Sequence, residues 1–144
     1  MKKILIIGKR GFIGNNLANY LKKFYAVKFI GFKDLKKIKN NLNNFDYIIN
    51  TSINKNYIFN KYNEKFDNDL KISNLIANKK VVYCFLSTRK VYANKMNLRE
   101  NSKLSPKSNY SKNKLITEQK LNKRLKKNLI ILRVSNIIGE RGLT

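Results

Sequence analysis

The sequence has no histidine, one cysteine, one proline and only 8 acidic residues among 144. Without histidine there is no Ser-His-Asp triad, no imidazole general base and no His metal ligand. A single cysteine excludes an internal disulfide and a cysteine zinc site. Cys84 sits in the apolar run Val81-Val82-Tyr83-Cys84-Phe85-Leu86, where a thiol behaves as a small buried hydrophobe. Long apolar runs are also missing: Met1-Lys2-Lys3 is followed by four apolar residues before Gly8, far short of a signal-peptide core or of the roughly 20 residues of a membrane span. These absences predict a soluble protein of a reducing, cytoplasmic compartment with no metal site.

Against this background, 42% hydrophobic and 11% aromatic residues are too many for a disordered chain, even with 28% charged. The length suits one domain, expected over residues 1–144. Lys plus Arg total 32, giving a formal charge of +24 that attracts polyanions of any kind. The 26 lysines and 23 asparagines are spread over the whole length rather than gathered in an arm or patch. That spread reads as the drift of an A/T-rich coding sequence. No helix-turn-helix, zinc finger or RNP-type segment is legible, so charge alone supports a nucleic-acid partner.

Ile4-Leu5-Ile6-Ile7 has the continuous apolar pattern of a strand buried on both faces, and it meets a glycine-rich turn at Gly8. Apolar residues at helical spacing predict a helix over 15–24, and 27–32 reads as a second strand, completing a βαβ unit. A short helix over 35–42 leads to a third strand at 47–49, while 53–66 reads as loop and irregular helix. A helix over 68–78 feeds the strand 81–86. The polar stretch 93–109, which holds Pro106, is a loop; a helix over 110–127 and an apolar strand over 129–134 follow. This alternation is that of a doubly wound parallel α/β sheet, Rossmann-like. A turn is expected over 139–142, with no helix after it to cover the last strand, so the chain is expected to expose an apolar face and self-associate.

Three constellations carry chemistry. Gly8-Lys9-Arg10-Gly11-Phe12-Ile13-Gly14 lies between a strand and a helix, where glycines permit a sharp turn and the helix N-terminus offers unpaired N–H groups to a pyrophosphate. The spacing alone also fits an ordinary strand-to-helix turn; the flanking strand and helix favour the binding reading. Tyr110 and Lys114, four apart at the start of a helix, share one face, and an ammonium beside a phenol favours the phenolate and so assists proton exchange. Ser87-Thr88 delivers two hydroxyls at the carboxyl end of a strand, the edge where open α/β sheets bind ligands.

In their order and spacing these segments resemble the NAD-dependent epimerase/dehydratase family, the extended branch of the short-chain dehydrogenases and reductases. The likeness runs along nearly the whole chain. It includes the glycine loop, Asp46-Tyr-Ile-Ile-Asn-Thr-Ser52, Asn68, Ser87-Thr88 with Val91-Tyr92, the Tyr110/Lys114 pair, and Leu132-Arg133-Val134-Ser135-Asn136-Ile137-Ile138-Gly139. The resemblance implies Tyr110 as general acid/base, with Lys114 lowering its pKa and holding the nicotinamide ribose, and Thr88 bonding the substrate oxygen. It implies further that Gly8, Gly11 and Gly14, with Arg10, Phe12 and Ile13 between them, line the cofactor pyrophosphate, with Ser52 and Asn68 near the ribose and nicotinamide. The expected substrates are nucleotide-activated sugars.

Three departures shape the expectation. The position after the second strand, where the family carries an Asp for the adenosine ribose, reads as Phe32, followed by Lys33 and Asp34; with Arg10 and Lys33 near, NADP is favoured over NAD. Arg89-Lys90 stands where dehydratases of this family carry an Asp-Glu pair, which points to a 4-keto-sugar reductase or an epimerase instead. Family members are about twice this length, so a carboxy-terminal substrate domain is expected to be missing. The alternatives are then a fragment of a longer gene, a homodimer or completing partner chain, and a cofactor-binding module without turnover.

Overall fold

The fold is taken from a computed structural model that describes residues 1–139; the turn expected over 139–142 lies outside it from Glu140 on. Five parallel strands form one sheet: β1 (Lys3–Ile7), β2 (Ala26–Ile30), β3 (Tyr47–Asn50), β4 (Val82–Thr88) and β5 (Leu129–Val134), in the order β2-β1-β3-β4-β5. The five helices are α1 (Phe12–Leu21), α2 (Leu35–Ile38), α3 (Lys55–Phe59), α4 (Asn68–Ile76) and α5 (Asn109–Leu125). The chain leaves β1 on one side to form β2 and returns on the other to form β3. A crevice therefore opens outside the carboxyl ends of β1 and β3, the place where open α/β sheets bind ligands.

The strand alternation sorts side chains onto two faces. Leu5, Ile7, Ile48, Tyr83 and Phe85 point to the larger core, where Leu35, Leu42, Ile72, Ile76, Leu121 and Leu125 cover them. Ile4 and Ile6 point the other way and pack with Ala18, Leu17 and Leu21 of α1. The sheet is thus doubly wound. Beyond α1 this second face is thinly covered: Ile130 and Leu132 of β5 are 41% and 46% exposed, the bare apolar face that the sequence predicts.

Several boundaries differ from the sequence expectation: the helix expected over 35–42 is α-helical only to Ile38 and continues as a 3-10 helix over Lys39–Asn44, β4 runs on to Thr88, and two differences trace to glycine. The first helix begins at Phe12 and ends at Leu21, rather than spanning 15–24, because Gly11 in extended conformation is itself the cap; Tyr20 and Phe24, counted on its apolar face, are exposed. Strand β2 stops at Ile30, two residues short of the expected end. Gly31 opens a 3-10 turn over Phe32–Asp34, and Phe32 packs against the core instead of prolonging the strand.

Leu121 is fully buried beneath the sheet. Leu121→Ala should destabilise the chain by about 2–5 kcal/mol through lost burial and the cavity left behind, read as a lowered urea midpoint.

Candidate functional site

The glycine turn is packed too tightly for any side chain at two of its three glycines. Gly8 has φ +125°, a region L side chains rarely adopt, and a Cβ there would collide with the Thr51 hydroxyl. A Cβ on Gly14 would lie 2.6 Å from the Gly8 carbonyl oxygen and 2.7 Å from Thr51 Oγ1. At Gly11 the nearest atom would be 3.5 Å away, an ordinary contact. The loop is fixed from both sides: the Gly8 and Lys9 amides donate to the Ile30 carbonyl at 2.9 and 3.2 Å, and Asn15 Nδ2 donates to the Lys9 and Gly11 carbonyls at 3.1 and 2.9 Å. No side chain caps the start of α1, so its first amides remain open to an anion.

Across the crevice, the end of β3 is held by a polar chain. Thr51 Oγ1 donates to the Ile7 carbonyl at 2.9 Å, and Ser52 Oγ donates to Asn50 Oδ1 at 2.6 Å. Asn68 Nδ2 donates to Ser52 Oγ at 3.2 Å. Asn50 Nδ2 in turn donates to Asp69 Oδ1 at 2.9 Å, and the Tyr83 hydroxyl donates to the same oxygen at 2.5 Å. Asp67, which caps α4 through the Leu70 amide, accepts from Thr117 and Tyr62 at 2.7 and 2.8 Å.

Lys114 reaches this network from α5. Its side chain is almost fully buried, Nζ donates to the Leu86 carbonyl at 2.8 Å, and it lies 4.6 Å from the Phe85 ring centroid and 5.9 Å from that of Tyr110. Burial pulls its pKa below the usual lysine range, opposed by the negative charges of Asp69, Asp67 and Glu118. The phenol of Tyr110 moves opposite to the expected direction. Burial, then the charge of Asp69, pushes it above the ordinary tyrosine value. Burial likewise raises Asp69, with Lys114, Tyr83 and Asn50 acting against it.

The strand-end hydroxyls have partners within the chain as well. Ser87 Oγ donates to Glu118 Oε1 at 2.5 Å, and Glu118 is gripped by Arg133 through two bonds of 3.0 and 2.6 Å, so Ser87 belongs to a buried clamp between β4, β5 and α5. Thr88 Oγ1 accepts the Lys90 amide at 3.2 Å and caps the turn Arg89–Val91.

Ile13, Ser52, Thr88, Tyr110 and Lys114 all line one cavity of about 300 Å³ at the carboxyl edge of the sheet. Gly8, Gly11 and Gly14 stand beside it at the start of α1, and Asn68 joins through Ser52. Phe12 is 37% exposed and Arg10 is exposed. Lys33 points to solvent from its 3-10 turn and lines neither this cavity nor its larger neighbour; the carboxylate beside it, Asp34, is paired with Lys37 at 3.1 Å.

Comparison by sequence finds neither a matching family model nor a matching curated protein. Comparison by structure gives a dTDP-4-dehydrorhamnose reductase from Yersinia enterocolitica, TM-score 0.73 at 19% identity, over 97% of this chain and 54% of that one. A hypothetical dTDP-4-dehydrorhamnose reductase from Sulfolobus tokodaii superposes with TM-score 0.74 at 21% identity over 99% and 58%. A UDP-glucuronic acid 4-epimerase from Bacillus cereus in complex with NAD gives 0.68 at 18% identity over 92% and 56%. The likeness is one of fold. The chain spans about half the length of the structures it matches. Among the described residues, no helix is long and apolar enough to cross a membrane.

The residues not singled out in the sequence are Asn15, Asp69, Tyr83 and Glu118, while Thr51 and Arg133 stand inside quoted motifs without a role assigned. Asp69 had one compositional signal: with only 8 acids in the chain, an Asp67/Asp69 pair at a helix start is conspicuous, whereas Glu118 had none.

Asp69 sets a pH dependence. Its folded pKa lies above the ordinary 3.8, so the native state holds the proton longer than the unfolded chain; stability is fullest below that value and declines as pH rises through the raised pKa. Asp69→Asn keeps an acceptor for Tyr83 without the buried charge. Its urea midpoint relative to wild type should therefore rise with pH from about 4 upward, and a difference constant with pH would refute this role for Asp69.

Proposed function

We propose that residues 1–144 are the dinucleotide-binding domain of an NAD(P)-dependent oxidoreductase or epimerase of nucleotide-activated sugars, of the epimerase/dehydratase type. The observation that carries this reading is convergence: the uncapped start of α1, Ser52, Thr88, Tyr110 and Lys114 meet at one cavity on the switch-point side of the sheet. The solved structures of this fold include nucleotide-sugar 4-epimerases, two of them in complex with NAD, and dTDP-4-dehydrorhamnose reductases.

The residues present fit such a cofactor. Open amides at the start of α1, with Arg10 beside them, suit a pyrophosphate; Asn15 and Asn16 clamp this loop from behind through its carbonyls. Lys114 spends one proton on Leu86 and retains two donors for a ribose hydroxyl. Tyr110 holds or gives a proton at a substrate oxygen, which Thr88 also bonds. The dinucleotide, when bound, supplies hydride transfer. The raised phenol makes Tyr110 a proton donor in its resting state, as reduction of a ketone requires. NADP is favoured over NAD because the one carboxylate after β2, Asp34, is already paired with Lys37 and lies in the field of Lys9, with Arg10 in the neighbouring glycine turn.

The test is a fluorescence titration of the chain with NADPH and NADH at moderate salt, with ADP and pyrophosphate as controls. Saturable binding of one dinucleotide well beyond the controls is expected, NADPH the tighter. Gly14→Ala should weaken it at least tenfold, whereas Tyr110→Phe should leave it within about twofold and abolish any reduction of a keto-sugar. Equal binding of every anion would reduce the glycine turn to architecture.

A further inference from the structure

Resting on that reading, the structure carries a second feature that it does not use. A larger cavity, about 570 Å³, adjoins the first, and Thr88, Lys90 and Ser135 line both. Its walls are the turn Arg89–Val91, the residues before and within the first turn of α5, and the segment after β5. Arg89, Lys90 and Lys107 face it, and among the described residues no carboxylate lines it. Their charged groups take part in none of the ion pairs of the described residues. The start of the 17-residue α5 adds the partial positive charge of a helix N-terminus to the same wall.

Placement decides what this charge is for. Arg89 and Lys90 directly follow Thr88, the residue at the reacting end, and Lys90 lines the cavity that also contains Tyr110 and Lys114. A group read by this pair sits on the sugar ring itself, close to the reacting carbon, rather than at the far side of a diphosphate. The basic residues are held there by the fold: the Lys90 amide is capped by Thr88, and Tyr92 follows, pinned by Arg133 at 2.7 Å.

We propose that the larger cavity receives a sugar bearing an anionic ring substituent, a carboxylate of the uronic acid type, with Arg89 and Lys90 as the residues that select it. A bidentate guanidinium suits a planar carboxylate, and an ammonium at the junction of the two cavities supplies a point charge beside it. The pair thereby discriminates an acidic sugar nucleotide from its neutral hexose counterpart.

The test measures binding of UDP-glucuronate, UDP-glucose and UDP by calorimetry to the chain saturated with its preferred dinucleotide, at about 0.3 M salt to screen the general positive field. UDP-glucuronate should bind at least tenfold more tightly than UDP-glucose. Arg89→Gln and Lys90→Gln should each shrink that ratio toward one, and Arg89→Gln should keep wild-type dinucleotide affinity, which shows that it folds. Equal affinity for both sugars, or UDP alone binding as tightly as UDP-glucuronate, would overturn the proposal, the latter by assigning the pair to the diphosphate. Dinucleotide binding with no sugar nucleotide bound would overturn it while leaving the cofactor reading intact. Loss of dinucleotide binding itself would instead strike the function proposed above.

Discussion

An ammonium buried to the extent of Lys114 needs acceptors and negative charge around it, because desolvating an ion costs several kcal/mol even after relaxation. The local structure of the sheet's carboxyl edge answers that need. The Leu86 carbonyl takes one proton, the Phe85 ring offers its face, and Asp67, Asp69 and Glu118 supply charge from α4 and α5. Three of the chain's 8 acids are thus buried around one lysine while most of the 32 basic residues remain outside. The same carboxylate that answers Lys114 holds Asn50, Asn50 holds Ser52, and Ser52 accepts from Asn68. The charge that stabilises the lysine therefore also orders the loop after β3, which faces the glycine turn.

A second ion pair, with Glu118 buried and Arg133 half-buried, does different work. Glu118 joins Arg133 and Ser87, and Arg133 stacks 4.9 Å from the ring centroid of Tyr92 while bonding its hydroxyl. A buried ion pair is weak ground for stability, since well-packed apolar residues often serve as well or better. Its consequence here is positional. It ties β5 and α5 to the turn after β4, so that Thr88 and the two basic residues behind it cannot drift relative to Tyr110.

Much of the fold is legible in the sequence because burial on both faces leaves a plain mark: Ile4-Leu5-Ile6-Ile7 and Val81 to Leu86 are apolar throughout, and glycine spacing identifies the turn between β1 and α1. The convergence of Ser52, Thr88, Tyr110 and Lys114 follows from their places at strand ends and helix starts. Periodicity fails where a residue is mixed in character. Tyr20 and Phe24 mimic an apolar face yet lie exposed, and Phe32 extends an apolar run but turns inward after Gly31. It fails completely for buried polar groups, because nothing in the spacing of Asp69 or Glu118 distinguishes a solvated carboxylate from one committed to the core. The direction of the Tyr110 shift follows from the same limit: Lys114 is visible in the sequence, whereas the burial and the Asp69 charge that raise the phenol are not.

The net charge of +24 bears on function through this distinction between surface and site. A field of that size draws any anion toward the molecule, speeding encounter with dinucleotide, sugar nucleotide or nucleic acid alike, and it is screened by salt within about a Debye length. Attraction that serves every anion cannot discriminate among them. Discrimination has to come from donors whose positions are fixed: the uncapped amides of α1, held in place by Asn15 and the Gly8–Thr51 contact, and the Lys114 ammonium, held by its buried carboxylates. Under the proposed reading specificity therefore rests on fixed donors, the α1 amides and Lys114 for the cofactor and Arg89 with Lys90 for the sugar, while the remaining surface lysines set only the rate at which ligands arrive.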